Sequence, residues 1–428
     1  MRLMVLGASS LKLRMVAAVG ASCLLGWTGS AYANSVTDWN EVTVRYVAGG
    51  GGIPAGRPGP VGFLDVALVQ AAVHDAVQAI EGRYEAYYFT GTGTGSKDAA
   101  VAAAAHRTLA LLYPAQAGSL DTLYNNYLTA HGLVGNPGLA VGEAAGAALY
   151  TQYRPLVPTT PFFGGTGPGQ WRPTTPGVPM AFLTLAFTEP FTLNRVDQFR
   201  PEPPPPLTSM KYVREFNEVK ALGNIANYPN ANTPLVDFWN GDPLPRWNGG
   251  IRGLMVNSDV GESARLFALA NLATADTLMG IFEAKYFYNF WRPSTAIAND
   301  DGNPKTVADP SWKPYLVNPP YPDYPSGMNG VGGAMTETMR LFFGTDDVSF
   351  SMSQGAVTRH YSSLSQAADE VVEVRILHGV HFRSADEDGR RQGERTAHWA
   401  FHKILGSDHG HDEGVPVEWT VEDQKKND

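Results

Sequence analysis

Three short stretches in the last third of this 428-residue chain carry side chains whose types and spacing suit one task, holding a tetrahedral oxyanion beside an imidazole. The first is KYFYNFWRP, in which six residues separate Lys285 from Arg292 and Pro293 follows. On a helix that separation is close to two turns, so it predicts both cations on one face, with Pro293 ending or bending the helix. Two cations on an aromatic face need an anion. For this stretch alone, the competing reading is an amphipathic helix whose Lys and Arg reach out to solvent.

The second stretch is YPSGMNG, where Ser326 offers a hydroxyl and Gly327 an unobstructed amide at a predicted helix N-terminus, whose partial positive charge favours an oxyanion. Pro-Ser-Gly is equally an ordinary helix-start turn with Ser as N-cap. The third is VEVRILHGVHFR, with Arg375 and His381 six positions apart in a predicted helix. They would lie about 120° apart around its axis, close enough for a long guanidinium to converge with the ring on one ligand. His378 falls angularly between them, as a packing histidine or a second imidazole for proton transfer.

These stretches need a scaffold, and the periodicity around them is helical. Three-to-four-residue apolar spacing predicts helices within residues 63–88, 99–113, 140–153, 208–223, 262–291, 331–344, 362–382 and 389–405, while strand-like alternation is scarce. An all-α architecture follows. Gly and Pro gather in connectors such as GGGGIPAGRPGP and PFFGGTGPGQWRP. A Pro-rich connector at 199–207, FRPEPPPPL, is a stiff extended spacer between an N-terminal helical half and the C-terminal half carrying the anion-binding stretches.

Composition narrows the function. Residues 1–33 read as a secretory signal peptide: a basic start, an apolar run and the small-residue site Ala31-Tyr32-Ala33. Residues 34–428 form a single helical domain in an exported protein, periplasmic or secreted. Gly20 three residues before Cys23 disfavours a lipoprotein, and Cys23 is the single cysteine, so the mature part holds no thiol or disulfide. Removing Arg2, Lys12 and Arg14 takes the net charge from −9 by three to −12, which argues against nucleic acid or an anionic membrane as partner. No apolar stretch of the mature part reaches the roughly 18 to 20 uncharged residues of a spanning helix. A helical bundle of this kind can also pack against a second copy.

Other signals carry less. GTGTGSK at 91–97 lacks the spacing of a phosphate-binding P-loop and reads as a turn. His398 and His402 share a helix face without a third ligand in view, and His409, His411 and Asp412 sit in a polar tail. Tyr286, Phe287, Tyr288, Phe290 and Trp291 either wall a dry site or pack between helices.

Taken in order, Lys285 to Pro293, Pro325-Ser326-Gly327 and Arg375 to His381 resemble the signature of the superfamily joining type 2 phosphatidic acid phosphatases, bacterial acid phosphatases and vanadium-dependent haloperoxidases. GVHFR with Gly389 and Gly393 looks most like the haloperoxidase branch. The resemblance implies a helical bundle of the vanadium chloroperoxidase and acid phosphatase type, with vanadate as cofactor and phosphate as competing anion. Lys285, Arg292 and Arg375 would neutralise the oxyanion, and Ser326 and the Gly327 amide would donate hydrogen bonds. His381 would bind vanadium in a peroxidase or attack phosphorus in a phosphatase. The implied partners are hydrogen peroxide, halide and a small organic substrate, or a phosphomonoester.

One position departs from the signature. The superfamily places an acid–base histidine after Pro-Ser-Gly, and here Met328 stands there. A thioether neither donates nor accepts a proton at useful pH. Three readings follow: a vanadate-dependent haloperoxidase in which water or His378 takes over proton transfer; an acid phosphatase with a histidine nucleophile; and a phosphate- or vanadate-binding pseudoenzyme.

Overall fold

The computed structural model describes residues 34–407, apart from 51, 55 and 58. Residues 1–33, expected to be a signal peptide, and the tail with His409, His411 and Asp412 lie outside the described residues. In chain order the helices are α1 (Ser35–Ala48), α2 (Gly62–Glu81), α3 (Lys97–Leu112), α4 (Ala117–Ala130), α5 (Gly138–Tyr150), α6 (Met210–Leu222) and α7 (Thr233–Phe238). They continue with α8 (Pro243–Met255), α9 (Val260–Tyr288), α10 (Pro293–Ala298), α11 (Gly327–Phe343), α12 (Leu364–Leu377) and α13 (Arg383–Lys403). A single antiparallel hairpin, β1 (Phe350–Gln354) and β2 (Val357–Tyr361), interrupts them among the described residues. The fold is all-α, and each of the eight predicted helical stretches contains a helix. Helices α1, α4, α7, α8 and α10 and the hairpin lie outside the predicted stretches.

Helix α9 is the axis of the bundle and packs against α2, α11 and α13. Its start is set by Asp259, whose carboxylate accepts from the amides of Gly261 and Glu262. Helices α2 and α9 are long and apolar enough to cross a membrane, but 89% and 94% of their apolar windows are buried inside the fold, so they are core helices. Close approach of α11 to α13 depends on glycine. A Cβ on Gly333 would strike the Arg390 backbone, one on Gly393 the Gly330 carbonyl, and one on Gly389 the Ser326 backbone.

Two buried carboxylates fasten long loops to this bundle. Asp75 of α2 accepts from the amides of Tyr87, Tyr88 and Phe89 at 2.7 to 2.8 Å. Asp276 of α9 accepts from those of Phe191, Thr192 and Leu193 at 2.6 to 3.1 Å. A loop whose backbone amides are satisfied this way can lie against the core without losing hydrogen bonds. The Pro-rich connector is tied to the site-bearing half: Pro201 and Glu202 carbonyls accept from the hydroxyls of Tyr288 and Tyr324 at 2.6 and 2.5 Å.

Candidate oxyanion site

Lys285 and Arg292 do converge, but not along one helix face. Helix α9 ends at Tyr288, where Asn289 adopts the left-handed conformation (φ 48°) and returns its amide to the Lys285 carbonyl at 3.0 Å. The chain then runs extended to Arg292, which precedes α10 with Pro293 in its first turn. Asn tolerates this backbone better than most residues, and Pro favours a fresh helix start over continuation. A tight cap thus brings together two cations that helical spacing would have stacked on one face.

Both side chains are fully buried. Lys285 Nζ donates to the carbonyls of Pro322 and Asp323 at 2.8 and 2.7 Å. Arg292 donates through Nε to the Tyr321 carbonyl at 2.9 Å and through Nη1 to the Val380 carbonyl at 2.7 Å. Its Nη2 has no partner among the described residues. The Tyr321 ring lies over both cations, at 5.3 and 5.0 Å, and packs edge-on against Phe282.

Arg375 and His381 also leave the single helix expected of them. Arg375 is in the last turn of α12, Gly379 turns the chain with φ 72°, and His381 lies in the extended link before α13. His381 Nδ1 contacts Asp323 Oδ1 at 2.8 Å, and its Nε2 sits 3.3 Å from Arg292 Nη1. A proton on Nδ1 facing the carboxylate leaves the Nε2 lone pair toward the cations. Arg375 donates to His378 Nδ1 at 3.1 Å, while its Nε has no partner among the described residues. His378 donates through Nε2 to the Val236 carbonyl at 2.8 Å. Both His378 nitrogens are therefore occupied, which corrects the expectation of a proton shuttle: this ring orients Arg375.

Ser326 precedes α11 but does not cap it. Its hydroxyl oxygen instead accepts from Asn329 Nδ2 at 3.3 Å. No hydrogen bond to the amides of Gly327, Met328 and Asn329 is found among the described residues. The helix start therefore presents free N–H groups, as an anion requires. Met328 is half-buried against the core.

Burial dominates the electrostatics. It drives the proton affinity of Lys285 well below the usual ammonium range, aided by Arg292. Arg375 is lowered to about 10 by burial. His381 is held well below the usual imidazole range, first by burial and then by Arg292, Lys285 and Arg375, so its ring is neutral. His378 is pushed down to about 3 by burial and by Arg375. Burial raises Asp323 to about 7 against the pull of Arg292 and Lys285, and raises Asp386 well above the carboxylate range.

Asp323 and Asp386 are the site residues that motif spacing missed. Asp323 stands three residues before Ser326 and Asp386 five after His381, but a lone Asp in a loop or first helical turn carries no distinctive signal. Of the five aromatics considered as a wall, Tyr286 and Phe287 are 38% and 58% exposed, and Phe290 and Trp291 pack with Tyr212, Tyr324 and Phe382. Tyr321 is the ring that covers the cations. Lys97 of the Gly-rich turn pairs with Glu81 and Asp259 at the surface. His398 and His402 have ring centroids 4.5 Å apart, and no group of three or more His, Cys, Asp or Glu suited to a metal cation occurs among the described residues. The open groove along the hairpin, lined by Ser351, His360 and Gln366, shares no residue with the oxyanion site.

The donor set suits a tetrahedral oxyanion. Three buried cations, two of them with unpartnered N–H groups, meet an uncapped helix start, a serine hydroxyl and a neutral imidazole. An unpaired buried guanidinium N–H costs about 1–3 kcal/mol or more, which a bound oxyanion would relieve.

Comparisons with known proteins point the same way. Residues 265–407, which contain every residue of the site, match the VCPO second helical-bundle domain family. The chain is 34% identical over 101 residues to vanadium chloroperoxidase of Curvularia inaequalis, a match spanning 21% of this chain and 16% of that protein. The fold resembles the crystal structure of a bacterial vanadium-dependent iodoperoxidase, with a TM-score of 0.68, 24% identity and coverage of 88% of this chain and 97% of that one. It also resembles a holo-type bacterial vanadium-dependent chloroperoxidase, with a TM-score of 0.64, 17% identity and coverage of 80% and 90%.

Proposed function

We propose that this chain, which belongs to the superfamily joining the vanadium haloperoxidases with the type 2 phosphatidic acid phosphatases, is a vanadate-dependent haloperoxidase-like enzyme that oxidises halide with hydrogen peroxide. The observation that carries the reading is the orientation of His381. Its Nδ1 is held by Asp323, its Nε2 lone pair faces Arg292, and the ring is neutral. A neutral imidazole with a directed lone pair is what a vanadium ligand or a nucleophile requires.

Lys285, Arg292 and Arg375 would hold the oxygens of vanadate, Ser326 and the Gly327 amide would donate hydrogen bonds, and His381 Nε2 would bind the metal. When bound, vanadate supplies a Lewis acid that activates hydrogen peroxide toward halide. The chain's own contribution is positive charge in a water-poor setting, where it withdraws electron density most effectively. Tyr321 screens Lys285 and Arg292 from solvent on one side. Met328 contributes no proton transfer, so turnover should fall short of a site with histidine there by the ~10² to 10⁴-fold of general acid–base catalysis. The basic, apolar start of the chain supports export to a periplasm or the outside of a cell.

One purified protein assayed three ways tests this: bromide oxidation with vanadate and peroxide, p-nitrophenyl phosphate hydrolysis without vanadate, and calorimetric binding of both anions. Vanadate-dependent bromination that rises in Met328→His by about the same ~10² to 10⁴-fold supports the reading. Phosphate ester hydrolysis in place of bromination would make the protein an acid phosphatase. Binding without turnover in either the natural chain or Met328→His would make it an anion-binding protein.

A further inference from the structure

An oxyanion cradle has no need of an acid group among its donors, yet Asp386 is fully buried in this one. It lies in the first turn of α13, and its Oδ1 accepts from Asn329 Nδ2 at 2.7 Å. Ser326, whose hydroxyl would face the anion, accepts from the same Asn329 amide at 3.3 Å. The second oxygen, Oδ2, has no partner among the described residues. Charged groups face this carboxyl from every side: Arg375 from α12, Lys285 from α9, and Arg292 and Asp323 from the links beside α10 and α11.

A carboxylate oxygen is acceptor-only, as are the oxygens of a fully deprotonated oxyanion. Placed against each other they repel, unless one proton lies between them and turns the contact into a short charge-assisted hydrogen bond. We propose that Asp386 Oδ2 touches the bound oxyanion and shares one proton with it, so that the site selects oxyanions that carry a proton, such as phosphate and vanadate, over sulfate. The inference rests on the oxyanion site described above and adds its selectivity. Burial, which strengthens the hold of Asp386 on a proton, favours this arrangement. With Met328 at the neighbouring position, Asp386 is also a side chain beside Ser326 that can hold a proton where the superfamily uses histidine.

The test is calorimetric titration of the metal-free full chain with inorganic phosphate and with sulfate, across the alkaline range in which phosphate stays a dianion. Sulfate brings no proton, so it binds only when Asp386 is protonated, and its affinity falls by up to about tenfold per pH unit once that proton is lost. Phosphate as a dianion still carries one. The phosphate-to-sulfate affinity ratio is therefore expected to rise with pH in the natural chain and to stay flat in Asp386→Asn, whose amide donates to either anion. Titration of Lys285 or Asp323 changes the charge felt by both anions and cancels in the ratio. A flat ratio in the natural chain overturns the proposal, as does a rising ratio that survives in the variant. Should Asp386→Asn not fold, Asp386→Ala prepared in excess phosphate and then dialysed replaces it, with the same flat ratio expected. Failure of phosphate, sulfate and vanadate alike to bind would instead overturn the oxyanion site itself.

Discussion

Asp323→Asn separates what the site does with charge from what it does with the imidazole. In the natural chain the Asp323 carboxylate lies 4.0 Å from Arg292 Nη1 and 2.8 Å from His381 Nδ1. Above about pH 7, where Asp323 is ionised, a charge pair at that distance interacts by ~4 kcal/mol at an effective dielectric of about 20, so a bound oxyanion competes with Asp323 for the same guanidinium. If a third of that competition is relieved, affinity for phosphate rises about tenfold. Vanadate depends in addition on a bond from His381 Nε2, whose basicity the carboxylate supports, and loss of such a partner typically weakens metal binding by about 10–100-fold. The two affinities should move in opposite directions, phosphate tighter and vanadate relatively weaker. Calorimetry with each anion on the natural chain and on Asp323→Asn measures this directly. If both affinities rise, or both fall, by the same factor, Asp323 does not act through His381, and the assignment of that ring as the metal ligand loses its support.

Further outcomes follow from the same geometry. Lys285→Ala and His381→Ala should each abolish vanadate-dependent bromination, and a parent rate in either would show the site is misassigned. Gly389→Ala would drive a Cβ into the Ser326 backbone, so it should cost about 1–3 kcal/mol in denaturant unfolding and weaken anion binding, whereas a distant exposed Gly→Ala such as Gly253→Ala should leave affinity unchanged. The pH dependence has a definite sign. Burial raises Asp323 to about 7, so between the unfolded carboxyl value near ~4 and about 7 the folded state binds the extra proton. The stabilisation from protonated Asp323 is present at low pH and lost as pH rises through about 7. Thermal melts of anion-free protein should show this loss, and it should be smaller in Asp323→Asn than in the natural chain. His378→Ala should weaken anion binding through Arg375 while leaving the pH profile of turnover unchanged, because that ring stays neutral to about pH 3.

The eight predicted helices were legible because apolar spacing over a dozen or more residues has few competing explanations. Two of the helices that escaped, α1 and α8, bury polar residues that break their apolar pattern. Helix α1 buries Asn40 against Asn248 of α8, and α8 buries Arg246 under the carbonyls that close α7. Such polar residues read as surface until their partners, some 200 positions away in the chain, are known. Lys285, Arg292, Ser326, Arg375 and His381 stood out because their types suit an oxyanion and because their order resembles the superfamily signature.

Sequence alone determined which atoms could meet an oxyanion: two guanidinium groups, an ammonium, a serine hydroxyl, a helix-start amide and an imidazole, with a methionine where a proton carrier was expected. Tertiary structure decided how they meet. A left-handed cap at Asn289, rather than a helix face, turns Arg292 back toward Lys285, and the bend at Gly379 frees His381 from the helix that holds Arg375. The fold also brought in Asp323 and Asp386, whose charges decide the tautomer of His381 and the balance of charge around the anion. Spacing is a one-dimensional property, whereas electrostatic energy depends on separation and burial in three dimensions. The protonation states of this site therefore became readable only once its side chains were placed together and out of water.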